Sequence, residues 1–442
     1  MVETTRASRW KARYWVYLML FLLATINYLD RVVLSVGAGP LAAELHVDKV
    51  ELGYLFSSFL WGYTLFLLPI GLLIDRFGSR YVTAISMTVW SLATMLTGAA
   101  SSAGGVLVSR IVMGAGEASC YPSAARIIRD WAPSRERGIA MTALNSGAYF
   151  GPALGALALS WLISSAGWRW SFAICGAIGF LWIGAWLLFF KSPENTRWIG
   201  DEERRTILRQ RETVQQTGSD TVSIGLGGLL RERTMWAQML TQGCNVYTQY
   251  LFLTWLPNYL QTERGMTLLG SGTAMAIPYL GSIVISMALG LLSDATLDPF
   301  AIEQGRRRRL VGAVMCAGAV IVFIPWVSSV WAALGLITVA LGAASTGIAL
   351  NVALLGDLLR TRRDLGRAVA LQFIGGNVCG FFAPIVTGYI VQATGHFAAA
   401  IIAAGAIFLV GAMSSWFLTW KPIGARATST AAQAAVAGRE LS

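Results

Sequence analysis

The chain has 442 residues, of which 55% are hydrophobic and only 13% charged, with a mean hydropathy of +0.59. A soluble domain carries about a quarter charged residues, so a water-exposed globule is excluded. The formal charge of +11 would suit a nucleic-acid partner only if the cations formed one surface, whereas they are dispersed in short segments between apolar blocks; no nucleic acid is expected.

Each block is long enough to cross a hydrocarbon core of roughly 30 Å, which takes about 20 helical residues. Backbone groups in lipid are satisfied inside helices, so an all-α membrane protein is expected. In chain order the twelve expected spans are 14–36, 50–74, 81–99, 105–127, 138–163, 168–190, 235–261, 268–293, 309–328, 330–355, 365–392 and 396–420. Of the 34 Lys and Arg residues, 29 fall in the N-terminus, in the loops after spans 2, 4, 8 and 10, in 191–233 and in the tail. Lys49, Arg169 and Arg264 fall on the other side, while Arg31 and Arg110 fall inside spans. An excess of cations marks the cytoplasmic side. The expectation is a multi-pass protein of the inner (cytoplasmic) membrane, with both termini in the cytoplasm and the lipid bilayer as its surroundings. The cysteines, Cys120, Cys175, Cys244, Cys316 and Cys379, all fall within spans and show neither a disulfide framework nor metal spacing. No cofactor is expected.

The segment 191–234 is the one long polar interruption, and 200–213 within it has the pattern of a surface helix. It divides the chain into an N-terminal six-helix bundle (1–190), a cytoplasmic linker (191–234), a C-terminal six-helix bundle (235–420) and a disordered tail (421–442). The halves echo each other. "GLLIDRFGSR" (71–80) recurs as "GLLSD" (290–294), and "NSGAYFG" (145–151) aligns with "IGGNVCG" (374–380), pairing Gly147 with Gly376 and Gly151 with Gly380. Duplicated halves enclosing a midplane site are the logic of rocking transporters powered by an ion gradient.

"INYLDRVVLSV" (26–36) places Asp30 and Arg31 inside span 1, and span 4 holds Arg110 and Glu117, two turns apart on one face. Charges at this depth cost about 2.5–3.5 kcal/mol each on insertion scales and usually face a partner or a wet cavity. Counted by helical rise, Asp30 and Arg110 stand at similar depth, so they are expected to pair, with Glu117 lower.

"GLLIDRFGSR" resembles the loop signature of the major facilitator superfamily. "NYLDR", "RIVMGAGEASCYPSAARII", "RERGIA…NSGAYFG" and "LTWLPNYLQTERGM" (starting at Asn27, Arg110, Arg135 and Leu253) resemble its anion:cation symporter family, which includes bacterial sugar-acid transporters, sialin and vesicular glutamate transporters. The resemblance covers the whole chain. It implies the major facilitator fold, with two pseudo-symmetric six-helix bundles and import of an organic carboxylate by proton symport. Arg31 is expected to hold the substrate carboxylate, because a guanidinium binds carboxylate at two points. Asp30 and Glu117 are expected to carry protons, with Arg110 the switching partner of Asp30; the alternative is a static latch. Tyr63, Asn245, Tyr247, Asn351 and Asn377 are candidate substrate contacts, against the alternative of interhelical hydrogen bonding. Tyr63 and Asn377 match cavity positions of the family. Asp75 and Arg76, with Asp294 and Arg306 to Arg309, are expected to form ion pairs between the halves that close an inward gate.

Where related symporters read "NSGQY", this chain reads "NSGAY"; Ala148 supplies no amide, which argues against a galactonate-like substrate and points to a less hydroxylated or bulkier acid, aromatic carboxylates included. Gly147, Gly151, Pro152 and Gly155 also resemble the signature of drug–proton antiporters, which keeps export as an alternative beside simple helix packing. A receptor or channel fits less well, since neither a large soluble domain nor a continuous polar stripe is evident. No nucleotide loop or nucleophile–His pair suggests an enzyme. The expected partners are a small organic anion and protons, with a monomer sufficient to complete the site.

Overall fold

The computed structural model describes residues 11–133, 136–196, 198–216, 223–297, 300, 302, 304–361 and 364–424. The first half comprises α1 (Ala12–Val36), a short α2 (Ala38–Leu45), α3 (Lys49–Phe77), α4 (Ser79–Ala99), α5 (Ala103–Glu117), α6 (Cys120–Trp131), α7 (Arg137–Ala166) and α8 (Trp168–Phe189). The linker carries a 3-10 turn (Pro193–Asn195), α9 (Asp201–Gln216) and α10 (Gly225–Arg231). The second half comprises α11 (Arg233–Thr262), α12 (Leu268–Thr296), α13 (Arg306–Gly318) continued by a 3-10 segment (Ala319–Trp326), α14 (Val330–Leu358), α15 (Leu365–Thr394) and α16 (Ala398–Leu418). Among the described residues, ten helices are long and apolar enough to cross a membrane. The α5–α6 pair and the more polar α11 complete the two sets of six.

Span 4 is not one continuous helix. Pro122 has no N–H to offer to Ala118, and the ladder breaks in a turn at Ala118–Ser119, directly after Glu117. Four helix N-termini on the face opposite the chain termini are capped by side chains. Asp48 and Glu51 form a reciprocal capping box at α3, and Ser102, Thr267 and Ser329 cap α5, α12 and α14. Exposed Trp161, Trp170, Trp326 and Trp331 ring this face, and Trp236 and Trp420 mark the terminal face, as indole side chains do at membrane interfaces.

Within the first half, α3 and α5 approach so closely that a Cβ on Gly62 would overlap the Ile111 carbonyl, and one on Gly114 the Phe59 carbonyl. Gly147 and Gly151 bring α7 against the backbone of α1, and Gly376 and Gly380 bring α15 against α11. This small-residue packing is how helices associate where the surrounding lipid is as apolar as the side chains.

The halves meet along α3–α15, α7–α12 and α1–α11. Opposite the termini this seam is shut. The Lys49 Nζ donates to Asn258 at 3.1 Å, its backbone N–H to Gln392 at 3.3 Å, the Ser57 hydroxyl to the Phe381 carbonyl at 2.7 Å, and Tyr54 and Tyr389 join hydroxyls at 3.3 Å. Toward the terminal face the same helices diverge: Gly71, Gly138, Gly290 and Gly366 face open space. The structure is closed on one side and open on the other.

Each end of the linker is fastened to its own half. Glu203 of α9 accepts from the backbone N–H groups of Ala12 and Arg13 at 3.1 and 3.3 Å and pairs with the Arg13 guanidinium at 3.1 Å, which also holds Glu136. At the other end, Asp364 accepts from Ser223 at 2.5 Å and from the Ile224 N–H at 2.9 Å. The start of the tail is also attached: Ile423 bridges to Leu359, exchanging backbone hydrogen bonds with Leu358 and Arg360. Residues 421–424 are therefore not the free tail expected from sequence, and the remainder lies outside the described residues.

Candidate functional site

Four acidic or basic side chains, Asp30, Arg31, Arg110 and Glu117, are buried within the spans of the first half. Arg31 of α1 donates through Nε to Glu117 Oε2 at 2.8 Å and through Nη1 to the Tyr250 hydroxyl at 2.9 Å. Its Nη2 and the Glu117 Oε1 have no partner within 3.5 Å. The guanidinium lies 4.4 Å from the Tyr28 ring centroid, 4.8 Å from Phe59 and 5.4 Å from Tyr63. Arg31 thus sits in an aromatic cage at the junction of the halves, charge-paired to its own half and hydrogen-bonded to the other.

The pairing differs from the one expected from depth. Arg110 donates to the main-chain carbonyl of Asp30 at 3.1 Å and contacts Met113 Sδ at 3.1 Å, and no ion pair joins it to the Asp30 carboxylate. That carboxylate is fully buried, with neither oxygen partnered within 3.5 Å; the Trp90 indole stands nearby. The reason is side-chain direction. In a helix the Cα–Cβ bond tilts toward the N-terminus. The two helices run in opposite senses, so Arg31 reaches toward the terminal face and Glu117 reaches up to meet it. Arg110 reaches one turn along its own helix to Met113 and takes the Asp30 carbonyl rather than its carboxylate. Counting rise alone misses this tilt.

The remaining expected contacts divide. Tyr63 lies against Arg31, and Asn377 on α15 keeps an unpartnered amide nitrogen beside the Gly376–Gly380 face. Asn245 instead donates to Thr241 at 2.9 Å and packs against Gly347, inside the second half. Tyr247 is buried in the apolar cluster that the two halves build together. Asn351 belongs to a buried amide cluster, donating to Gln242 at 3.0 Å and to the Gln238 carbonyl at 3.1 Å, while Gln372 donates to Gln238 and to the Asn351 carbonyl. These amides tie α11, α14 and α15 together, so Asn245 and Asn351 are engaged inside the second half.

The expected gate pairs do not form in this state. Asp75 meets Arg126 of its own half at 3.4 Å, the Arg76 guanidinium lies 5.2 Å from the Phe77 ring, and Arg307 pairs with Asp357 of its own half. The Asp294 side chain lies outside the described residues. With the halves apart on this face, each charge finds its partner locally.

Tyr28, Phe59 and Tyr250 were not singled out from sequence. The internal repeat carried the signal: a Cβ on Gly151 would come within 3.0 Å of Tyr28, and one on Gly380 within 3.1 Å of Tyr250, so the two tyrosines are counterparts.

A two-bundle helical fold, shut on one face around a buried cation at the bundle junction, is the architecture of a membrane transporter. Residues 20–351 match the Major Facilitator Superfamily, and the chain belongs to that superfamily. It is a transporter and not an enzyme. Among its relatives it is 31% identical over 421 residues to the Probable galactarate/D-glucarate transporter GudP of Escherichia coli K12, covering 92% of this chain and 93% of the relative. It is 32% identical over 414 residues to the Probable L-galactonate transporter of the same organism, covering 92% and 89%. A bacterial homolog to the human lysosomal transporter Spinster, solved in an inward-facing and occupied conformation, shares the fold with a TM-score of 0.71 at 18% identity, covering 94% of this chain and all of that one.

Proposed function

We propose that this protein imports an organic carboxylate of the sugar-acid kind by proton symport, with alternating access, as a monomer in the cytoplasmic membrane with both termini inside. The observation that carries the reading is the buried Arg31 guanidinium, held by Glu117 and Tyr250 with Nη2 to spare. The relatives' names support sugar acids as the substrate class.

Arg31 is the anion site. In the empty carrier Glu117 neutralises it. A substrate carboxylate arriving at Nη2 competes for the same guanidinium, and Glu117, losing its counter-charge in a low-dielectric site, takes a proton. Proton and anion then cross together with no net charge left unpaired. Asp30 is the second proton carrier: a turn of the Arg110 side chain from the Asp30 carbonyl to its carboxylate exchanges a proton for an ion pair. Tyr63 and Asn377 contact the body of the acid. The open terminal face makes this the inward-facing state, in which Asp75 and Arg76 await partners. No cofactor is called for, since the proton gradient supplies the work. Gly147 and Gly151 pack on the α1 backbone, which supports the helix-packing reading of that motif.

Uptake into liposomes by purified protein tests the reading, using sugar acids, aliphatic carboxylates and aromatic carboxylates under an imposed inward proton gradient. Accumulation of one class, collapsed by a protonophore, is the expected result. Proton release driven by cationic or neutral compounds, with no acid accumulated, would replace it with export.

A further inference from the structure

We infer that the site takes an acid with one negative charge, a single carboxylate on an uncharged body, in preference to a dicarboxylate. The inference rests on the carboxylate-import reading above and narrows it.

The argument is an inventory of reachable cations. Two guanidinium groups lie at membrane depth, and only one can touch a ligand. Arg110 is 1% exposed, committed to the Asp30 carbonyl and Met113, with its charge 5.5 Å from the Phe59 ring. Arg110 Nε is also without a partner but is held inside the first half, whereas Arg31 Nη2 is the unpartnered guanidinium donor at the junction, beside the bond to Tyr250.

A second carboxylate would project toward the second half, and the repeat shows what stands there. The register that places Tyr28 on Tyr250 carries Asp30 and Arg31 onto Phe252 and Leu253, both 3% exposed. From Thr234 to Ser293 the chain has one Lys or Arg, Arg264, and it lies in the loop opposite the termini; from Leu310 to Leu359 and from Ala368 to Trp420 it has none. What faces the junction is neutral. The Asn377 amide nitrogen and the Tyr279 hydroxyl are buried without partners, and the Gln249 amide meets the Tyr149 hydroxyl at 3.4 Å. Such groups satisfy hydroxyl or carbonyl oxygens. They do not compensate a second full charge, which stays expensive at this depth unless paired. Protonating both Asp30 and Glu117 would balance a dianion on paper, yet Arg110 would remain out of its reach.

Of the two relatives named above, this sides with the galactonate transporter, whose named substrate has one carboxylate, over the galactarate/D-glucarate transporter, whose named substrates have two.

The test measures binding at pH 7 to the purified protein for matched pairs: galactonate and galactarate, butyrate and succinate, benzoate and terephthalate. In whichever pair binds, the monocarboxylate is expected to bind at least about ten-fold tighter. Lowering the pH toward about 4, where carboxyls half-ionise, should narrow that gap. A dicarboxylate binding equally or more tightly at pH 7 overturns this inference while leaving carboxylate import standing. Binding of no pair overturns carboxylate import and this inference with it. Leu253→Arg, which restores a cation at the repeat position, should move the preference toward the dicarboxylate. The ranking on the unmodified protein decides the matter even where that variant does not fold.

Discussion

Arg31 and Tyr250 are joined by a 2.9 Å hydrogen bond that crosses from the first half of the molecule to the second, at the point where both halves are otherwise lined by aromatic rings. The donor is charged, and hydrogen bonds to charged groups contribute about 1.5–3 kcal/mol. Tyr250→Phe removes only the acceptor. We expect it to shift the empty carrier away from the closed-outside state by roughly ten-fold or more. Spin-label distances across the mouth between α3 and α15 will measure this; an unchanged distribution would mean the bond does not bias the two states.

Glu117→Gln keeps an oxygen for Arg31 and removes the titratable proton. Exchange of substrate across the membrane should persist, and gradient-driven accumulation should fall to the exchange level. Accumulation at the unmodified rate would remove Glu117 from proton coupling.

Arg31→Lys retains the charge but loses the two-point geometry. Substrate affinity should drop about ten- to a hundred-fold, as expected for lost charge-assisted bonds of about 1.5–3 kcal/mol. Arg31→Ala should abolish binding and also destabilise the fold, because it strands a buried carboxylate, a loss of about 3–5 kcal/mol. The double variant Arg31→Ala, Glu117→Gln should recover much of that stability without recovering binding. Thermal unfolding of the four proteins separates the two effects; additive losses would show that Arg31 and Glu117 act independently.

The linker anchor is sensitive to acid. Hydrogen bonds from the Arg13 guanidinium hold the Glu136 carboxyl below its ordinary range. A depressed carboxyl contributes stability above its unfolded value of about 4.3 and loses it as the pH falls through the lower folded value. Glu136→Gln should therefore cost stability at pH 7, and the difference from the unmodified protein should shrink as the pH falls below about 4.3 and vanish below the lowered folded value. A difference that persists in acid would mean that Glu136 acts through packing.

Much of this architecture was legible in residue order, and the misses share a cause. Apolar blocks of bilayer length gave the spans, because lipid leaves the backbone one solution. Arg31, Glu117, Asp30 and Arg110 were legible as a group because nothing apolar explains them. Their pairing was not, since it depends on which way each side chain leans along its helix. Asn245 and Asn351 illustrate the second limit: a buried amide reads the same whether it faces a cavity or a neighbouring helix, and here Thr241, Gln242 and Gly347 claim them. The gate residues show the third. Asp75 meets Arg126 of its own half in this state, and a sequence has no conformation.

The two-ended fastening of the linker bears on how such a chain can be divided. Glu203 ties α9 to Arg13, and Asp364 ties the stretch before α10 to α15, so each half keeps its own share of the connection. What joins the halves across α3–α15 and α7–α12 is noncovalent. A gene cut between the codons for Gln216 and Ser223 should therefore encode two polypeptides that find each other in the membrane and work as one carrier.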